Sequence, residues 1–191
     1  MRGHSLVELL VVVALLGAVA ALTVPRVGAA LDGAKVRGAA FYVSSRFGLA
    51  RTLAAHRNAN VAFRFEQVDG GIQVRVFADT NGNGIRAIEI ARGIDAEIMP
   101  AERLDHAFPG VRYGFIPGAR LIDGTSVTED DDPIRFGSTD MLIFSPAGTA
   151  TAGTVYIRGR DHWQYAVVVL GATGRTRIAR FDLRTRRWLA P

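Results

Sequence analysis

The chain opens with a dense apolar block and later changes its hydrophobic period. Residues 9–24 are apolar almost without interruption. Further on, apolar residues recur at steps of three and four, which predicts one buried face of a helix. The residues of that face are Val36, Ala40, Val43, Phe47, Ala50 and Ala54. We therefore expect a single long helix from about Ser5 to about Arg57, kinked but not ended by Pro25.

From residue 61 onward the apolar positions alternate, as in β-strands. Val61, Phe63 and Phe65 are followed by the turn sequence Asp69-Gly70-Gly71 and a second alternating run, which predicts a hairpin. Glycine and proline separate the later strand candidates, which are Val111–Ile116, Met141–Phe144, Thr154–Arg158, Trp163–Leu170 and Arg177–Leu183. The acidic stretch Leu121–Gly137 is expected to be a solvated loop. The whole pattern predicts an α+β fold, with a long N-terminal helix packed on an antiparallel β-sheet domain.

Composition indicates the size of the folded domain, the source of its stability and the kinds of partner that its charge allows. A chain of 191 residues with one apolar anchor has room for one domain of ordinary size. It contains no cysteine, so stability must come from packing and strand pairing. The net charge of +5 comes almost entirely from arginine, since Lys35 is the single lysine. A basic balance is compatible with a polyanion or a membrane surface as partner, but does not establish either.

The apolar block is long enough for a membrane anchor, because roughly 20 apolar residues span a bilayer. A secretory signal peptide would carry its small-residue cleavage site after the apolar core, whereas Gly3 lies before it. A transmembrane segment over about residues 6–25 therefore fits better. Glu8 is unusual for a plain anchor, since a charge at membrane depth costs a few kcal/mol or more and usually marks function.

The segment Gly3-His4-Ser5-Leu6-Val7-Glu8 resembles the prepilin motif of type IV pilins and type II secretion pseudopilins. In that family a prepilin peptidase cuts after the glycine and the new first residue is N-methylated. The resemblance implies cleavage between Gly3 and His4 and methylation of His4, although the family usually has phenylalanine at this position. It implies a leader of residues 1–3, a helix of residues 4–57 with a transmembrane first half, and a β domain of residues 58–191.

Glu8 occupies the position of the nearly universal glutamate of this family. A mature chain beginning at His4 would carry a charged amine at the membrane edge. The N-terminal amine of a neighbouring subunit can neutralise Glu8, and a buried charge is strongly unfavourable without such compensation. Glu8 is therefore predicted to set the register in which subunits assemble. The alternative is a chance polar residue at a helix end.

Three internal segments are similar to the GspH/FimT branch of minor pseudopilins. They are residues 77–90, residues 143–157 and residues 171–177, the last containing a late G-R-x-R. The resemblance implies a structural subunit of a type II secretion pseudopilus or a type IV pilus, placed near the tip. It implies storage as a single-pass inner-membrane protein with a periplasmic C-terminal domain. The implied partners are prepilin peptidase, other pilins or pseudopilins, and secreted protein or DNA.

The first of these segments also fits the opening of a calcium loop. Asp79, Asn81 and Asn83 offer oxygen atoms at alternate positions, followed by Gly84. The closing glutamate should fall at position 90, which is isoleucine, and Glu89 comes one residue early. Asparagine and glycine are equally typical of tight turns. The sequence favours a structural turn over calcium, and we expect neither metal nor other cofactor.

The C-terminal region is rich in arginine, which could hold phosphate groups. FimT-type minor pilins that bind DNA use a G-R-x-R loop, which Gly174 to Arg177 match. Arg175, Arg177 and Arg180 are therefore the candidate DNA-binding residues of an alternative function in DNA uptake. The competing interpretation is a solvated strand face after a hairpin turn at Gly174.

The sequence contains little that favours catalysis. The four histidines are isolated and show no metal-ligand spacing. Ser145 lacks the flanking glycines of a nucleophile elbow. We therefore expect a mechanical and recognition role, not an enzyme.

Overall fold

The computed structural model describes residues 6–160 and 162–190, and it does not describe the side chains of residues 22–26. Helix α1 spans Leu6–Arg57 and continues through Pro25. The single long helix expected from the sequence, with its end at Arg57, is thus confirmed over the described residues.

The rest of the described chain forms two antiparallel sheets and two short helices. The strands are β1 (Val61–Val68), β2 (Gly71–Ala78), β3 (Ala96–Arg103), β4 (Arg112–Tyr113), β5 (Ile134–Arg135), β6 (Met141–Phe144), β7 (Gly153–Arg158), β8 (Gln164–Leu170), β9 (Arg175–Asp182) and β10 (Arg187–Leu189). The short helices are α2 (Ala87–Ala91) and α3 (Leu104–Ala107). The first sheet has the order β3-β2-β1-β6. The second has the order β10-β9-β8-β7-β4, with β5 paired to β7. The expected α+β architecture is confirmed.

The apolar stripe of α1 forms the centre of the main core. Val36, Ala40, Val43, Phe47, Ala50 and Ala54 are all buried there. Strand β1 contributes Val61, Phe63 and Phe65, and strands β7 and β8 contribute Val155, Ile157, Tyr165 and Val167. Burial of each large apolar side chain contributes roughly 1.5–3 kcal/mol. This stripe is therefore the surface on which both sheets are assembled.

Each sheet also buries part of its other face. On the first sheet Phe77 packs with Ile85 and Ile90, which come from the loop that carries α2. On the second sheet Tyr156 and Phe181 belong to a separate cluster that residues 115–127 help to cover. The loop segments are thus parts of the folded domain as well as connections.

The expectation of a wholly solvated loop over Leu121–Gly137 was wrong at both ends. Leu121, Ile122 and Val127 pack against the cluster on the second sheet, and the last residues enter the main core. The acidic residues 129–132 are exposed, but Ile134 lies in β5 and Phe136 is buried in the main core. Phe136 stacks on Phe65, with 5.8 Å between ring centroids. Ile134 and Phe136 follow the acidic run, and the burial of these two apolar side chains fixes this part of the loop on the domain despite the charges before it.

The strand expected at Val111–Ile116 was too long. Only Arg112 and Tyr113 pair with β7, and the chain then turns so that Phe115 and Ile116 enter the cluster on the far face of the second sheet. The buried amide of Gln164 holds this turn. Its Oε1 accepts from the Ile116 N–H at 2.9 Å, and its Nε2 donates to the Gly114 carbonyl at 3.0 Å.

The β domain holds α1 from about Ala29 onward. The Trp163 indole N–H donates to the Ala29 carbonyl at 3.2 Å, and the Arg160 backbone N–H donates to the Asp32 carboxylate at 3.3 Å. The Trp163 ring lies against Gly33, where a Cβ atom would come within 2.5 Å of it. Glycine at position 33 therefore allows the close approach of helix and indole.

We predict that Gly33→Ala destabilises the fold by about 1–3 kcal/mol, because the added methyl group overpacks the Trp163 contact. The matched control is Gly48→Ala in the same helix, where a Cβ would meet nothing within 4 Å. That control should gain about 0.5–1 kcal/mol through helix propensity. Urea unfolding of the full chain in detergent measures both, and equal effects of the two substitutions would contradict the Trp163 contact.

Candidate functional site

The first half of α1 is an exposed apolar surface. Every residue from 6 to 21 is exposed. Leu6 is 75% exposed, Leu9 62%, Val12 50% and Leu16 64%. Contiguous apolar surface of this extent is rare on soluble monomers and marks a site for protein or membrane interaction. The described β domain leaves this part of the helix uncovered.

Glu8 lies on this apolar surface, in the first turn of α1, and is exposed. An acidic residue in the first turn interacts favourably with the positive end of the helix dipole. In sequence Glu8 stands between the exposed apolar residues Val7 and Leu9.

The remaining N-terminal predictions are not tested by the structure. Gly3 and His4, the predicted cleavage and methylation residues, lie outside the described residues. Within the part of the chain that is described, no helix is both long and apolar enough to cross a membrane. The predicted span of about 6–25 overlaps residues 22–26, whose side chains are not described.

The three candidate DNA-binding arginines do not share one surface. Thr176 faces α1, since its hydroxyl lies 2.6 Å from that of Ser44. Because side chains alternate along a strand, Arg175 and Arg177 lie on the opposite face of β9, and both are exposed. Arg180 is four residues after Thr176 and therefore lies on the same face of β9, toward α1. It is half-buried and lines an open groove of about 600 Å³ beside α1.

The G-R-x-R turn is packed against α1. Gly174 has φ +59°, and a Cβ atom there would lie 2.8 Å from the Gly148 carbonyl and 3.1 Å from Cδ of Arg51. Both the backbone conformation and the space therefore require glycine. Arg51 lies beside the Arg175 end of β9, and its buried Nε has no hydrogen-bond partner among the described residues. Sequence spacing gave no signal for this neighbour, because it lies on the helix.

The Asp79 turn is organised by its own hydrogen bonds. The Asp79 carboxylate accepts from the N–H groups of Gly82 at 2.7 Å and Gly84 at 2.9 Å, and from the Asn60 amide at 3.0 Å. Burial alone would raise the pKa of Asp79, but these hydrogen bonds together hold it below its usual value. The tight turn predicted from Asn81, Asn83 and Gly84 is present.

The described histidine and carboxylate groups form no metal centre. His56, His106 and His162 are exposed. Among the residues that the structure describes, no three histidine, aspartate or glutamate side chains converge closely enough to hold a metal by themselves.

Comparisons with known proteins give two structural likenesses. No family model matches the chain, and no curated protein matches it. One similar structure is that of the minor pseudopilin EpsH from the type 2 secretion system of Vibrio cholerae. The two sequences are 16% identical, and the TM-score is 0.48. The match covers 75% of this chain and 94% of the EpsH chain. A second structure of EpsH has 17% identity, covers 83% and 96% of the two chains and has a TM-score of 0.46. Both TM-scores lie below 0.5.

We predict that Asp79→Asn destabilises the fold by about 1–3 kcal/mol at neutral pH, because the turn loses a charged acceptor. Because the pKa of Asp79 is lower in the folded chain than in the unfolded chain, its ionised carboxylate stabilises the fold at pH values above the usual aspartate pKa near 4. This stabilisation is lost as the pH falls through the pKa that Asp79 has in the folded chain. The difference between the wild type and the variant should therefore shrink in acid.

The measurement is unfolding of the full chain in EDTA from pH 7 down to pH 2. Asp130→Asn in the exposed acidic loop is the control for loss of one negative charge. A difference between wild type and Asp79→Asn that stays constant over this pH range would contradict the assigned role of the Asp79 carboxylate.

Proposed function

We propose that this chain is a minor pseudopilin, a structural subunit of a type II secretion pseudopilus or a type IV pilus that acts in protein secretion. The observation that carries the proposal is the exposed apolar half of α1, which directly follows the prepilin-like segment ending in Glu8. Among the described side chains, the β domain contacts the helix from Ala29 onward, which leaves the exposed residues 6–21 for other partners.

The physical requirement is that this apolar surface must be covered. Each square ångström of apolar surface removed from water contributes about 25 cal/mol. Before assembly the inner membrane would cover the helix, in a single-pass orientation with the β domain in the periplasm. After assembly the helices of other pilins or pseudopilins would replace the lipid. We place the subunit near the tip by its resemblance to the GspH/FimT branch.

Glu8 has a specific task in this proposal. Cleavage after Gly3 by prepilin peptidase would create a charged amine at His4, which is then methylated. In the assembled filament Glu8 would meet the N-terminal amine of a neighbouring subunit. A wrong register would leave a charge in apolar surroundings, which is strongly unfavourable. The pair would thus favour one register of insertion, and no enzymatic step by this chain is involved.

We predict that the mature chain begins at His4 in cells with prepilin peptidase and that Gly3→Ala abolishes this cleavage. Mass spectrometry of the N-terminal peptide measures both the cut and the methyl group. Gly17→Ala makes the same substitution in the exposed helix, where a Cβ meets nothing within 4 Å, and should still be cut. An uncut wild-type chain in the presence of the peptidase would refute the proposal.

A second candidate is a DNA-binding minor pilin that acts in DNA uptake. It is favoured by the exposure of Arg175 and Arg177 on one face of β9, directly after the fixed turn at Gly174. Two neighbouring guanidinium groups at a rigid turn suit phosphate binding. The opposite placement of Arg180 restricts this candidate site to the other two arginines.

If this second function holds, we predict that the double substitution Arg175→Gln and Arg177→Gln weakens DNA binding. The magnitude of the slope of log affinity against log salt concentration should fall by about 2, because two phosphate contacts are lost. Gel shifts with the full chain in detergent measure this at several salt concentrations. Arg180→Gln removes the same type of charge from the opposite face and should change little. Equal loss in that control, or no binding by the wild type, would exclude the second function.

A further inference from the structure

The open groove beside α1 combines positive charge with aromatic rings. It has a volume of about 600 Å³, and none of the described residues that line it is acidic. Its larger side chains are those of Arg37 and Phe41 on α1 and of Trp163, Tyr165 and Arg180 at the second sheet. Guanidinium groups attract anions, whereas the rings offer apolar surface. This lining suits a ligand that is both anionic and partly apolar.

The two arginines of the groove have no anionic partner among the described residues. Neither guanidinium group makes an ion pair or a side-chain hydrogen bond there. Arg37 lies over the Phe41 ring, with 5.6 Å between its Cζ atom and the ring centroid, and this contact leaves its N–H donors available. Burial raises the pKa of Tyr165, and the charges of Arg180 and Arg37 both oppose that rise. Both charges therefore act on the same wall of the groove.

The groove is continuous with the exposed apolar side of α1. Beyond the predicted membrane span, Val27 is still 49% exposed and Leu31 57% exposed. Both lie on the side of the helix that carries Ala34 of the groove, because residues three and seven positions apart share one side. The described apolar side chains thus remain exposed up to the groove, on both sides of residues 22–26.

If the apolar surface up to Leu31 lies in lipid, the groove reaches the headgroup layer. Arg37 follows Leu31 by six residues, which is about 9 Å along the helix axis. The headgroup layer adds about 5–8 Å on each side of the hydrocarbon core, and an arginine side chain covers the remaining distance. Tryptophan and tyrosine also concentrate at this boundary, as Trp163 and Tyr165 would here.

We propose that this groove binds an anionic phospholipid, with Arg37 and Arg180 holding its phosphate group and Trp163 packing against the start of its acyl chains. The inference rests on the proposed function, since only a membrane-held α1 brings lipid to the groove. Guanidinium groups donate hydrogen bonds to phosphate oxygen atoms in a fixed fork, which suits them to this headgroup. The lipid would hold the β domain against the membrane surface until the subunit enters a filament.

The test measures how closely lipids approach Trp163 in the full chain. The chain has two tryptophans, and Trp188→Phe leaves Trp163 alone. Trp188 packs in a separate cluster with Tyr156 and Phe181, where phenylalanine keeps an aromatic ring. This variant is inserted into phosphatidylcholine vesicles with a small, equal fraction of brominated phosphatidylglycerol or brominated phosphatidylcholine. Bromine atoms near the headgroup end of the acyl chains quench tryptophan fluorescence only at short range.

Quenching should be at least fivefold stronger with brominated phosphatidylglycerol, because each arginine near an anionic headgroup raises association about fivefold. Adding Arg37→Gln and Arg180→Gln should abolish this preference, while both lipids still quench. Arg175→Gln with Arg177→Gln is the matched control. It removes two positive charges from the opposite face of β9 and should keep the preference.

The outcomes separate this inference from the proposed function. Equal quenching by the two lipids when the groove arginines are intact would overturn the inference and leave the membrane-held helix standing. Equal loss of the preference in both double variants would also overturn it, because net charge alone would then explain the result. An absence of quenching by either lipid would contradict the membrane-held helix itself, and with it the proposed function.

Discussion

The described fold depends on the packing of both sheets against one apolar stripe of α1. Phe47 is at its centre, with its ring centroid 4.9 Å from that of Phe63 and 6.4 Å from those of Phe136 and Phe144. These three partners come from β1, from the segment after β5 and from β6. A helix of this length gains most of its stability from such packing and little from propensity. The stripe therefore determines where the helix belongs to the β domain.

The same helix must satisfy a different requirement in its first half. In the part of the helix whose side chains are described, the β-domain contacts nearest its N-terminus are those at Ala29, Asp32 and Gly33. Before them the described side chains are exposed and, apart from Glu8, apolar, so water is a poor solvent for this part of the chain. One helix thus serves two environments, and the Trp163 contact lies at the boundary between them. This division supports our proposal that the subunit works by assembly.

Sequence periodicity predicted the elements whose side chains alternate clearly between buried and exposed. The stripe from Val36 to Ala54 and the hairpin around Gly70 are of this kind. Strand β3 was not predicted, because it is an edge strand that contains Pro100 and pairs with β2 through register shifts. The burial of Phe136 was missed because the acidic run before it dominates the local pattern.

The candidate sites were predictable only where they are local in sequence. Glu8 and the Asp79 turn follow from short motifs, and the turn at Gly174 follows from its glycine. The separation of Arg180 from Arg177 follows from alternation along a strand, because they lie three positions apart in the predicted strand Arg177–Leu183. The approach of Arg51 to Gly174 is a tertiary contact. No spacing along the chain encodes it directly.

The most direct test of the central claim is photo-crosslinking from the exposed half of α1 in cells that make the assembly machinery. A photoreactive residue replaces Leu16, which is 64% exposed, and in a second variant it replaces Leu170, which is 48% exposed on the β domain. The account predicts that position 16 crosslinks to the helices of other pilin-type subunits and that these products require prepilin peptidase. An absence of such products at position 16, with the machinery present and the chain expressed, would contradict it.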